Sequence, residues 1–303
     1  MRTVTVGGFT FGSPPVTDGA GCRWTLTGPG ISGWDDSGSG VRRESPDRPQ
    51  AHGAFGGPGF RTGRSAAFAG LIECPTRAAA AGVKTALAAL LADGSDGDLT
   101  VVDSDEPTMS VTVGLASKPV IDWNSGLEIE CAFELWAPDP LRYAAPVSVW
   151  TLFPTPRGGL EYDLYTDGAG ADLGYLDYGL ASDTGRLVVT NTGTAPAPVL
   201  FQVEGDVAPE GFDIAQVDSD RRLRFVGPNS ASSVLVLDGA TGNVLVDGTA
   251  DRGGQLTHRD WPVVPAATRV AGVLVPGSIE LAFINLGATS SARLTAVIRP
   301  GSW

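Results

Sequence analysis

The clearest pattern in the chain runs from Leu127 to Leu135. Leu127, Ile129, Cys131, Phe133 and Leu135 alternate with Glu128, Glu130, Ala132 and Glu134, a period of two that predicts a strand buried on one face and wet on the other. The prolines of Ala137-Pro138-Asp139-Pro140 remove ladder donors and predict its end. Upstream, Ala79, Val83, Ala86, Leu87, Leu90 and Leu91 recur at three- and four-residue spacing, which predicts one helix; Pro75 stands near its start and Gly94 just past its end. Leu99 to Asp103 and Met109 to Leu115 are β-rich runs bracketing the polar Ser104-Asp105-Glu106-Pro107, a hairpin pattern. Arg2 to Val6 alternates as well and predicts a strand at the start of the sequence.

Elsewhere glycine dominates. Gly28-Pro29-Gly30, Asp36-Ser37-Gly38-Ser39-Gly40 and the stretch Gly53 to Gly63 read as loops that interrupt regular structure, and long polar loops are common interaction surfaces. Between Ala144 and Asp183 no period survives; prolines, glycines, Tyr162, Tyr165, Tyr175 and Tyr178 suggest a linker or arm. From Gly185 onward short β-runs return at regular spacing, from Leu187–Thr190 through Phe212–Val217 and Ile279–Asn285 to Leu294–Arg299, with Asp238 to Asn243 as one hairpin loop. That rhythm predicts an antiparallel sandwich or jelly roll. The expected architecture is mainly β: an α+β N-terminal domain over 1–143, a connector over 144–184 and a β-sandwich over 185–303.

Composition narrows the function classes. With 42% apolar and 18% charged residues the chain is not disordered, and 41 glycines and 22 prolines without a fixed period point to many short elements joined by turns. No run approaches the roughly 20 apolar residues of a membrane-spanning helix, and the first residues lack the apolar block of a secretory signal. No membrane insertion and synthesis in a cytoplasm are therefore expected. A net charge of −13 argues against a phosphate-binding surface, which needs clustered Lys and Arg. Cys22, Cys74 and Cys131 fit neither a disulfide framework nor zinc-ligand spacing and are expected as small core residues.

Candidate chemistry is sparse. His52 and His258 are the only histidines, and no nucleophile elbow, zinc-protease helix or phosphate-binding loop accompanies them; ordinary surface histidines are expected. Asp93, Asp96, Asp98, Asp103 and Asp105 crowd one region, yet a twelve-residue calcium loop started at Asp93 would place Ser104 where a bidentate Glu belongs. Glu128, Glu130 and Glu134 share a strand face and could mimic a glycosidase pair, which also needs a desolvated carboxyl. Trp123, Trp136, Trp150, Trp261 and Trp303 suit subunit interfaces or core better than a sugar platform, because no two share a strand at i, i+2 spacing. No catalytic residue, metal site or cofactor is expected, and a wall-degrading hydrolase is the least favoured class.

The segment Trp136-Ala137-Pro138-Asp139-Pro140-Leu141-Arg142-Tyr143 resembles the close of the N-terminal domain in distal tail proteins of long-tailed phages. The preceding order is similar too: an N-terminal strand, a glycine-rich loop leading to Gly63-Arg64, a strand from Ala67 to Glu73, one helix and a hairpin. Val189-Thr190-Asn191-Thr192-Gly193-Thr194-Ala195-Pro196-Ala197-Pro198-Val199 and the stretch from Pro276-Gly277 to Trp303 resemble the opening and close of that family's C-terminal sandwich. The resemblance implies a tail-tube-like β-sandwich or split barrel with one helix, followed by a galectin-like sandwich. It further implies a virion protein at the distal end of the tail: a homohexameric ring around a channel through which genomic DNA passes without specific binding. The tail tube protein would lie on one side, and the tail-tip hub and tape-measure protein on the other. The family brings no catalytic residues, and the chain has no length for the inserted sugar-binding modules of enlarged relatives. A carbohydrate-binding role in host recognition is the alternative.

Overall fold

The alternation from Leu127 becomes the strand Glu128–Ala137, with Ile129, Cys131, Phe133, Leu135 and Ala137 buried. It is the seam of the first of two units into which the computed structural model divides. That unit comprises Met1–Ala145 with Gly301–Trp303, and the second comprises Pro146–Pro300; the structure describes residues 1–35, 39–154, 183–287 and 291–303.

In the first unit the strands follow the order Gly301–Ser302, Arg142–Ala144, Met109–Leu115, Gly97–Asp103, Arg2–Val6, Phe9–Ser13, Arg23–Ser32, Gly59–Glu73, Glu128–Ala137 and Val120–Trp123. Neighbours are antiparallel except Phe9–Ser13 beside Arg23–Ser32. Glu128–Ala137 also pairs with Met109–Leu115 through Leu135↔Leu115 and Trp136↔Gly114, so the sheet curls back on itself. Along the earlier half of that strand the partner is instead Val120–Trp123, and the barrel is split. Its interior holds Val4, Phe11, Phe68, Phe133 and Leu99. The helix Arg77–Ala88 packs on this core through Ala80 and Leu87, and the Thr76 hydroxyl caps it by accepting from the Ala79 N–H at 3.2 Å.

Several expectations are corrected here. Gly28-Pro29-Gly30 does not break the chain: the strand Arg23–Ser32 runs through it, with a register shift between Thr27 and Ile31. Gly28 and Gly30 take φ values of +64° and +85°, so glycine here makes a bulge and the strand continues. The strand expected from Ala67 begins at Gly59, inside the glycine-rich stretch, and pairs there with Ser39–Arg43. The helix buries Ala80 and leaves Ala86 exposed, the reverse of the predicted face at those two positions.

The second unit is a sandwich of a six-stranded and a five-stranded antiparallel sheet. Its core is aromatic at the centre, where Phe283 stacks on Phe153 and meets Phe212 edge-on. Asn191 is fully buried; its amide donates to the carbonyls of Ala195 and Pro265, and its oxygen accepts from the Gly193 N–H. That triple use explains an Asn followed by Gly in the segment Val189–Val199: one side chain closes the loop and satisfies buried backbone. Within the stretch expected as a connector, Val147–Leu152 forms a strand paired with Ser291–Ile298. Tyr162, Tyr165, Tyr175 and Tyr178 lie outside the described residues. At the other end, Gly301–Trp303 belongs to the first unit although the sandwich was expected to run to 303.

Candidate assembly surface

The strands Ser39–Arg43 and Gly59–Glu73 pair through Ser39↔Arg64, Val41↔Arg61, Arg42↔Phe60 and Arg43↔Gly59. Beyond that ladder the chain continues into a closed tip, where Asp47 bridges Ala54, Arg48 N–H donates to the Gly53 carbonyl and Phe55 N–H donates to the Pro46 carbonyl. Residues 40–62 are exposed throughout except for a half-buried Gly57, so this hairpin stands off the barrel with both faces in solvent. Val41 (67%), Phe60 (59%) and Phe55 (54%) are among the most exposed large apolar side chains of the unit. Arg48 lies over the Phe55 ring at 5.6 Å.

What fixes the hairpin is Arg64 at its root, 1% exposed. Its Nε donates to the Pro140 carbonyl at 3.0 Å, and its Nη1 donates to the carbonyls of Gly33 and Trp34 at 2.9 and 3.0 Å. The planar fork of a guanidinium suits this role, because donors on different edges reach two chain segments at once. Pro140 lies in the Trp136–Tyr143 segment. There Asp139 accepts from the Leu141 N–H and the Tyr143 hydroxyl at 2.9 and 2.6 Å, so the two prolines and the acid lock a turn onto the hairpin root. Gly63 lets Trp136 lie close, since a Cβ there would fall 2.8 Å from the indole Nε1. Arg61 lies over the Trp303 ring at 5.3 Å. Trp136 and Trp303 are both partly exposed, and the root of the hairpin therefore carries aromatic surface as well.

The same unit also carries a concave apolar surface. Between the helix and the first strands is a groove of about 500 Å³ whose walls include Phe9, Val16, Trp24, Val83 and Ala86. Phe9 stacks on Trp24 at 5.5 Å. Along the helix Ala78, Ala81, Gly82, Thr85, Ala86 and Ala88 are exposed and uncharged, while its two charges, Arg77 and Lys84, lie over the Trp123 ring. The groove's charged lining residue is Asp18. Burial pushes its carboxyl up, but the Trp24 indole N–H and the backbone N–H groups of Cys22, Ala20 and Gly21 outweigh that and hold it below its ordinary value; it is an anion at neutral pH.

The residues singled out for chemistry are not brought together. His52 is exposed in the hairpin tip and His258 is exposed on the strand Leu256–Arg259 of the second unit. The aspartates of 93–105 serve separate turns and pairs: Asp93 accepts from Ser95, Asp98 from Thr112, and Asp103 faces Arg2. Among the described residues no group of three His, Cys, Asp or Glu side chains is placed to hold a metal ion. Glu130 and Glu134 lie exposed on the outer strand face, and Glu128 accepts from Asn124. The three cysteines are buried and unpaired; burial pushes the Cys131 thiol up to about 12, so it is not a thiolate nucleophile. Of the tryptophans, Trp123 lies under Arg77 and Lys84, Trp150 is exposed and Trp261 packs against the second core. No helix among the described residues is long and apolar enough to cross a membrane.

No protein-family model and no curated protein sequence matches the chain. Solved structures do. The Dit protein of phage SPP1, described as a paradigm of the hub adsorption apparatus in phages that infect Gram-positive bacteria, superposes with a TM-score of 0.62 at 12% identity, covering 99% of both chains. The chain has the Dit fold. A chain of the phage P2 baseplate in its activated conformation matches at TM-scores of 0.51 with Ca and 0.50 with Sr. Identity is 8% and coverage 97% of this chain and 98% of that one in each case. The Dit fold thus accounts for both units in one order, and the hairpin and groove are surface features mounted on it.

Proposed function

We propose that this chain is a structural, non-enzymatic subunit of the distal end of a phage tail, closing with copies of itself into a hexameric ring that joins the tail tube to the tail tip or baseplate. The observation that carries this reading is the end-to-end agreement of both units with the SPP1 Dit protein and a P2 baseplate chain. A fold shared over the whole length with a hub protein and a baseplate chain supports architecture over turnover. The hairpin supports self-association: a two-stranded ribbon with apolar side chains on view is marginal alone in water and gains stability when a neighbour covers it. Head-to-tail contacts of that kind are heterologous and end only when rotation closes a ring.

The second unit offers another such surface. Thr268–Val270 and Val273–Val275 form a separate two-stranded hairpin on which Val270, Val273, Leu274 and Val275 are exposed. In this reading it is a contact for the other tail proteins, with the tail tube protein, the tail-tip hub and the tape-measure protein as partners. The net charge of −13 suits a channel through which DNA slides without sticking. Mass photometry of the purified chain, followed by negative-stain images, is expected to give six-fold rings of uniform diameter. Monomers across all accessible concentrations, or a fibre without closure, would sink the ring.

A further inference from the structure

We propose that the Phe55–Arg48 tip of one copy docks into the groove lined by Phe9, Val16, Trp24, Val83 and Ala86 on the next copy; the proposal rests on the ring reading and names the contact that closes it. Three observations carry it. The tip presents one aromatic ring, half exposed, with a guanidinium over it at 5.6 Å. The groove presents the complement, apolar walls with the single carboxylate of Asp18, and the helix residues that line it, Gly82, Val83 and Ala86, are small and uncharged. Charge runs the same way over a longer range: residues 40–62 carry four arginines against two carboxylates, a surplus of two positive charges on a chain whose net is −13. A net-cationic hairpin is drawn towards a neighbour whose net charge is negative, and complementary potentials favour one register of docking.

Geometry allows the hairpin to reach another copy. From Ser39 to Asp47 an extended chain spans up to about 26 Å at ~3.3 Å per residue, and in its own copy the tip stays in solvent. Burying one aromatic side chain removes roughly 150–250 Å² from water, short of the ~1,200 Å² of a specific interface. Phe55 is thus the anchor, and Val41, Phe60 and the helix face supply the remaining area.

The test uses the full chain. Ala86→Trp fills the groove from an exposed helix position, and Phe55→Ser removes the anchor from an exposed tip where it cannot harm the core. Both variants are expected to keep the wild-type thermal unfolding curve and to weaken association by about tenfold or more, as loss of an interface anchor does. A mixture of Phe55→Cys and Ala86→Cys chains of distinguishable mass is expected to form mixed disulfide-linked dimers on mild oxidation in excess over the symmetric dimers of either variant, the native cysteines being buried. Wild-type rings accompanied by unweakened rings in both variants, or by no excess of mixed dimers, would overturn the groove contact and leave the ring reading standing. A wild type that never assembles removes the ring and this contact with it.

Discussion

Arg64 shows how much one residue can decide. A buried guanidinium without partners would be expelled by its desolvation cost; here backbone carbonyls of two segments, Pro140 on one side and Gly33 and Trp34 on the other, receive it. Arg64→Ala is expected to cost about 3 kcal/mol, because it strands buried acceptors and removes packed methylenes together. Arg64→Lys should recover only part of that, since an ammonium on one stem reaches one segment at a time. Urea unfolding midpoints of the three proteins check both statements, and equal midpoints for Lys and Arg would mean that the fork is irrelevant. Nothing in residue spacing announces this role. Gly63-Arg64 is visible as a pair in the sequence, but a buried arginine has no periodic signature, and only the fold brings Pro140 to its side. Asn191 is the opposite case, because Asn followed two residues later by Gly is a turn pattern that local chemistry alone makes readable.

At the scale of elements, legibility follows burial. Glu128–Ala137 is readable because one face is dry and the other wet, which forces the alternation. The hairpin is not, because over residues 40–62 both of its faces meet solvent and no alternation is imposed; glycines and prolines there read as loop although a ladder is present. The same blindness hid the passage of Arg23–Ser32 through Gly28 and Gly30, where left-handed φ values serve a bulge. The helix is readable in outline only, since alanine suits either side and Ala80 and Ala86 exchange places. The exposed hairpin also makes an experimental promise. Replacing residues 44–58 by Asn-Gly joins Arg43 to Gly59 through a two-residue turn of the kind that matches strand twist. The shortened protein is expected to unfold within about 0.5 kcal/mol of wild type, as surface changes do, and to remain monomeric by sedimentation. Rings formed by the shortened chain would show that the tip is dispensable.

For the molecule as a whole, two cores were foreseeable from the succession of β-runs and the single helix, and the order of parts carried the resemblance that the solved structures then met at the level of fold. The path of the chain was not foreseeable. Arg142↔Ser302 and Tyr143↔Gly301 are neighbours in one ladder, so the polypeptide leaves the first unit and comes back to it at adjacent strands, roughly 4.8 Å apart. In topological terms the sandwich is a guest spliced into a host. A host that clamps both junctions side by side can accept any folded insert whose own ends lie equally close. Exchanging Pro146–Pro300 for such an insert, a small fluorescent or binding protein, is expected to leave the host's melting transition in place, and calorimetry would reveal its loss. The same splice would turn the subunit into a carrier displaying one cargo per copy.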